Sequence, residues 1–263
     1  MNKTILTSVV LAATLNACAA DMQQDDETAE TASARASAQT EERSVLATES
    51  KLDSAAVNLG ADAVGVVKAA NTNCPNGEID MGMDNENHNN NNSRSGWIGA
   101  TASTQNTTFK FCYARGSDFH QVRSDNANDN YAVIKLGTRC PAGSVEFWRH
   151  FDGEDDNTST TVWVGPVGSG NAGEKGNLDL HFCLFRASPS APTGYNTWPS
   201  IGVPYGVFGS AGLRGTLEAG NVYTDDEDDS NHDTLGGDYV GSERLLEPRF
   251  KNGGTRLYMA RVR

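Results

Sequence analysis

The chain has 263 residues, 37% of them hydrophobic and 8% aromatic, with 34 acidic against 21 basic side chains and a net charge of -13. That charge, with a pI near 4.7, repels phosphate backbones and anionic headgroups, which excludes nucleic acid as a partner class. No segment approaches the roughly 20 consecutive apolar residues of a spanning helix, so a membrane is expected to be reached only through a lipid anchor.

Residues 1–17 read as a signal peptide: Lys3, an apolar run from Ile5 to Leu15, then small residues. Leu15-Asn16-Ala17-Cys18 resembles the lipobox of bacterial lipoproteins. The resemblance implies lipidation at Cys18, and Ala19 after it favours the outer membrane. Ala17-Cys18-Ala19 also fits an A-x-A cleavage pattern, which would release a freely secreted protein. Residues 18–60 are rich in Ala, Thr, Ser, Glu and Asp and lack aromatics. They bury too little apolar surface to offset chain entropy and read as an acidic, disordered tether, with a weak helix near 44–57.

Residues 61–263 read as one all-β domain built from three internal repeats, at about 61–130, 131–204 and 205–263. These are called copies one, two and three. Each offers about four β-branched and aromatic segments separated by Gly, Asn and Asp clusters. Copy one gives 63–67, 78–83, 97–101 and 108–115; copy two gives 131–136, 144–151, 161–167 and 178–186; copy three gives 205–208, 216–223, 238–240 and 256–263. Pseudo-threefold symmetry follows, with a β-prism preferred and a β-trefoil as the alternative.

The cysteines sharpen the repeat. Copy one opens at Cys74 and closes at Cys112; copy two opens at Cys140 and closes at Cys183. Copy three has Gly212 and Ala260 in those places, so both cysteines are lost together. Joint loss is expected if Cys74 pairs with Cys112 and Cys140 with Cys183, one of the three pairings that four cysteines allow. The openings Cys74-Pro75-Asn76-Gly77 and Cys140-Pro141-Ala142-Gly143, the acidic loops, and the closings Phe111-Cys112 and Phe182-Cys183 resemble vitelline membrane outer layer protein I. That resemblance implies a β-prism with disulfides inside the repeats.

An acidic loop recurs in each copy. It carries Asp84 and Glu86, Asp152 and Glu154, and Asp225 and Glu227. Clustered carboxylate and amide oxygens suit a hard cation, so Ca2+ is a candidate. Asp and Asn capping their own turns explain the same pattern without metal. An aromatic follows each loop: Trp97, Trp163 and Tyr239. Rings beside amide and carboxylate groups are the usual material of sugar sites; a repeated core residue is the competing explanation. Trp148 alternates with Phe147 and is expected to face away from the core, and Trp198 lies in a linking loop.

The five histidines lack zinc spacing, and no nucleophile elbow, zincin or Walker motif occurs. The expectation is therefore a non-enzymatic binding module of the bacterial envelope, or secreted from it, whose partner is an extracellular glycan or an envelope component. A structural envelope lipoprotein and a polysaccharide hydrolase are the alternatives.

Overall fold

A computed structural model of the protein describes residues 59–85, 90–153, 178–191, 197–225, 233–248 and 254–263. All of them belong to one compact unit, Ala47–Arg263. The two expected cysteine pairs are joined as disulfides, Cys74–Cys112 and Cys140–Cys183, with Cα–Cα distances of 5.3 and 5.4 Å. Cys18, the segment at 44–57 and the strand expected at 161–167 lie outside the described residues.

The fold is all-β. In copy one the strands are β1 (Val64–Lys68), β2 (Glu78–Met83), β3 (Ser93–Gly96), β4 (Ala102–Ser103) and β5 (Thr107–Ala114). Copy two has β6 (Tyr131–Lys135), β7 (Val145–Phe151) and β8 (Leu178–Phe185). Copy three has β9 (Tyr205–Gly209), β10 (Glu218–Thr224), β11 (Thr234–Gly237), β12 (Leu246–Pro248) and β13 (Thr255–Arg261). Every pairing is antiparallel. Apart from Leu59 at the edge of the described residues, the helical residues described are two short 3-10 turns, Gly116–Asp118 and Ala127–Asp129.

The opening strands meet each other in a ring. The first half of β1 pairs the end of β6 (Gly65↔Ile134). The first half of β6 pairs the end of β9 (Ala132↔Phe208), and the first half of β9 pairs the end of β1 (Val67↔Gly206). Within each copy the closing strand sits between the opening and second strands, giving β1–β5–β2, β6–β8–β7 and β9–β13–β10. The third strand crosses over: β3 of copy one pairs β10 of copy three, and β11 of copy three pairs β7 of copy two.

The third strands lie earlier than the sequence reading placed them. Residues 97–101 and 238–240 lie outside the strands, while the paired residues are Ser93–Gly96 and Thr234–Gly237. The cause is local. Gly96 and Gly237 take φ of 68° and 78°, a left-handed conformation that side chains disfavour. The chain leaves the sheet there, and the aromatic falls in the turn beyond.

Alternation along the strands sorts residues to two faces. On β7, Phe147, Arg149 and Phe151 are buried, while Glu146, Trp148 and His150 are half-buried on the outer face. The buried phenylalanines of all three copies meet. Phe147 stacks on Phe182 at 4.7 Å, Phe182 meets Phe208 edge-on at 5.1 Å, and Phe208 lies 6.0 Å from Phe111. A second cluster joins Val64, Tyr131 and Tyr205 with the disulfide sulfurs' strands and Ala260.

Candidate functional site

The acidic loops begin buried. Asp84, Asp152 and Asp225 follow β2, β7 and β10 and are 0, 7 and 2% exposed. Asp225 Oδ2 accepts from the Asn91 amide at 2.6 Å, and the Asp225 amide donates to Asn92 Oδ1 at 2.7 Å. The Asp152 amide likewise donates to Asp233 Oδ1 at 2.8 Å. Asn92 and Asp233 immediately precede β3 and β11, so these loops are tied to the strand that arrives from another copy. Asp233 also forms an ion pair with Arg149, both side chains being essentially buried. Arg149 Nε donates to Thr255 Oγ1 at 2.9 Å. Glu86, Glu154 and Glu227 lie outside the described residues. Among the described residues no group of three or more His, Cys, Asp or Glu is placed to hold a metal ion.

The repeated aromatics differ from one another. Trp97 is half-buried against the core, its amide donating to Ala219 O at 3.0 Å. Its ring lies so close to Gly206 that a Cβ there would be 2.3 Å from Cη2. Trp163 lies outside the described residues. Tyr239 is 44% exposed, in a turn braced where Arg186 Nε donates to Val240 O at 2.7 Å and Asn130 Nδ2 to Gly241 O at 3.0 Å. Trp198 is buried, and its Nε1 donates to Arg214 O at 2.8 Å.

The most chemically varied surface is the outer face of β7 and β8. Register places Trp148 opposite His181 and His150 opposite Asp179, with Gly236 of β11 on the other side of Trp148. The two imidazoles are each held by a carboxylate: His150 Nδ1 to Asp179 Oδ1 at 2.5 Å, and His181 Nδ1 to Glu146 Oε1 at 2.8 Å. Lys135, from β6, donates to both oxygens of Glu146 at 2.8 and 2.7 Å. The side chains of His150, His181, Asp179 and Glu146 are 25, 27, 28 and 35% exposed. Asp238, at the root of the Tyr239 turn, donates its amide to Glu146 O at 2.9 Å.

Two protonation equilibria are shifted here. Burial by itself would raise Glu146, but hydrogen bonds from Lys135 and His181 and their charges outweigh it and hold the carboxyl below its ordinary value. The hydrogen bond to Asp179 raises His150 against the opposing effect of burial, and the charges of Asp179, Asp152 and Asp233 add to the rise. The face is thus a ring platform flanked by ordered donors and acceptors. Alternation placed Trp148 outside in the sequence. The grouping with His181, Asp179 and Lys135 depends on register, which a single sequence does not display.

The model of a family described as bacterial ApeC matches residues 24–182, more than half of the chain. No curated protein and no solved structure matches it. The chain belongs to the bacterial ApeC family.

Proposed function

We propose that this member of the bacterial ApeC family is a non-enzymatic binding module for an extracellular glycan or another envelope component. The observation that carries the reading is Trp148: a half-buried ring lying along a sheet, bordered by His150–Asp179 and His181–Glu146. Aromatic platforms with a few convergent polar groups are what saccharide recognition requires. Tyr239, exposed on the turn rooted beside Glu146, is a further contact in this reading.

The proposed setting is the outside of a bacterial cell, with lipid on Cys18 holding the domain at the outer membrane and residues 18–60 as the tether. Two disulfides fit an oxidising compartment, and no helix of the described residues is long and apolar enough to cross a membrane. The proposed architecture is a three-repeat prism. The cyclic pairing of β1, β6 and β9 and the same closing-strand order in each copy support it.

Binding of the full chain to a glycan array, with and without calcium and chelator, tests the function. Chelator-resistant binding supports a platform without metal, and chelator-sensitive binding brings Asp84, Asp152 and Asp225 into the site. Turnover of a polysaccharide would replace the reading with a hydrolase, and no binding at all with a structural lipoprotein.

A further inference from the structure

The register defines equivalent positions on the outer faces of the three copies. Glu78, Glu146 and Ala219 stand opposite Cys112, Cys183 and Ala260. Two residues onward, Asp80, Trp148 and Asn221 stand opposite Lys110, His181 and Tyr258. Two further on, Gly82, His150 and Tyr223 stand opposite Thr108, Asp179 and Arg256. One backbone pattern therefore carries three different chemistries. Copy one has a Lys110–Asp80 ion pair. Copy three has Arg256 over the Tyr223 ring at 5.8 Å and Tyr258 donating to Glu247 at 3.0 Å. Copy two has an indole between two carboxylate-held imidazoles.

We infer that the protein carries one binding site per chain, on the outer face of copy two, and that its ligand is an uncharged pyranose stacked on Trp148. The inference rests on the glycan-binding reading above and narrows it in site, number and ligand class. Three observations carry it.

The first is the shape of the platform. Trp148 lies across Gly236, where a Cβ would be 2.4 Å from Cζ2 and 2.5 Å from Cε2. The missing side chain lets the ring lie down on β11 instead of standing off it. Strand spacing and rise make the face from Glu146 to His150 roughly 5 by 14 Å, the size of one or two sugar rings.

The second is charge balance. Lys135 pairs with Glu146, and His150 with Asp179. Both carboxylates on the face already accept hydrogen bonds, Glu146 from Lys135 and His181 and Asp179 from His150, so an ionic ligand would have to displace an existing partner. Hydroxyl groups need not. They donate to the remaining carboxylate lone pairs and exchange hydrogen bonds with the imidazole Nε2 atoms.

The third is preorganisation. Both Nδ1 atoms are already tied to carboxylates. The rings are oriented before the ligand arrives, so little side-chain entropy remains to be lost on binding.

The test is a titration of the full chain, with histidine side chains observed by NMR, against uncharged hexasaccharides of glucose, xylose, mannose and N-acetylglucosamine. Hexasaccharides of galacturonic acid and of sulfated sugars serve as charged counterparts. The expected result is binding of an uncharged hexamer at one site per chain, with the His150 and His181 signals moving together. Trp148→Ala should weaken it about tenfold, the equivalent of losing one stacked ring. Asp80→Ala and Asn221→Ala, at the equivalent positions, should leave it unchanged. Binding that survives Trp148→Ala, occurs at three sites, or prefers the charged hexamers overturns this inference while leaving glycan binding intact. If no glycan of the array or the titration binds, both fall.

Discussion

Gly236 of β11 lies directly beneath the indole of Trp148 on β7, the strand with which β11 pairs. The contact joins the crossing strand of copy three to the outer face of copy two. Gly236→Ala should tilt the ring away, because its Cβ would come within 2.4 Å of Cζ2. Trp148 is only half-buried and can swing outward, so the expected cost in stability is small, about 1 kcal/mol or less. The expected change is in the Trp148 indole resonance and in glycan affinity. An unchanged resonance would show that the ring does not rest on Gly236.

The Arg149–Asp233 pair is the buried link at the same junction. Arg149 is fully buried, and Asp233 also holds the Asp152 amide. Arg149→Met leaves a buried carboxylate without its cation, which should cost about 3–5 kcal/mol in urea unfolding. The double change Arg149→Met with Asp233→Leu should recover part of that loss. A single-variant cost near zero would mean the pair is hydrated.

Acid and base should each remove one contribution to stability. The folded-state value of His150 is raised above 6.5. Its contribution is complete below that ordinary value and is lost as pH rises through the higher folded value. Glu146 is lowered from 4.5. Its contribution is present above that value and is lost as pH falls through the lower folded one. His150→Gln should flatten the alkaline side of a melting-temperature profile and leave the acid side; Glu146→Gln should do the reverse. Profiles that move the other way would refute the pairings.

Gly212 and Ala260 occupy the places of a cystine. The turn after Gly212 repeats the one after Cys140: Thr216 donates its amide to Leu213 O at 3.1 Å and its hydroxyl at 2.7 Å, as Ser144 does to Pro141 O at 3.2 and 2.7 Å. Gly212→Cys with Ala260→Cys should close a third disulfide. The closed loop, about 50 residues, corresponds to about 4 kcal/mol in the chain-entropy picture. A Cβ at Gly212 would be 3.3 Å from Asn128 Cβ, so Asn128 has to yield slightly. Free thiols after oxidation would show that copy three departs from the geometry of the other two.

What the sequence made legible follows from what it encodes locally. The cystine pairs were readable because Gly212 and Ala260 changed together. Opening, second and closing strands were readable from short apolar runs between turn residues, and β2 matches at both ends, whereas β12 was missed. The third strands were misplaced because Trp97 and Tyr239 attract a strand assignment, while Gly96 and Gly237 had already turned the chain. The outer-face constellation was half legible. Alternation exposed Trp148, but the partners His181, Asp179, Lys135 and Gly236 come from strands whose register is set by tertiary pairing.

The most direct test compares one array of glycans probed with the wild-type chain and with Trp148→Ala, after unfolding curves show the two equally stable. Wild type is expected to bind a small set of uncharged glycans, and the variant to bind them about tenfold more weakly. Equal signals from both proteins, or a blank array for wild type, would contradict it.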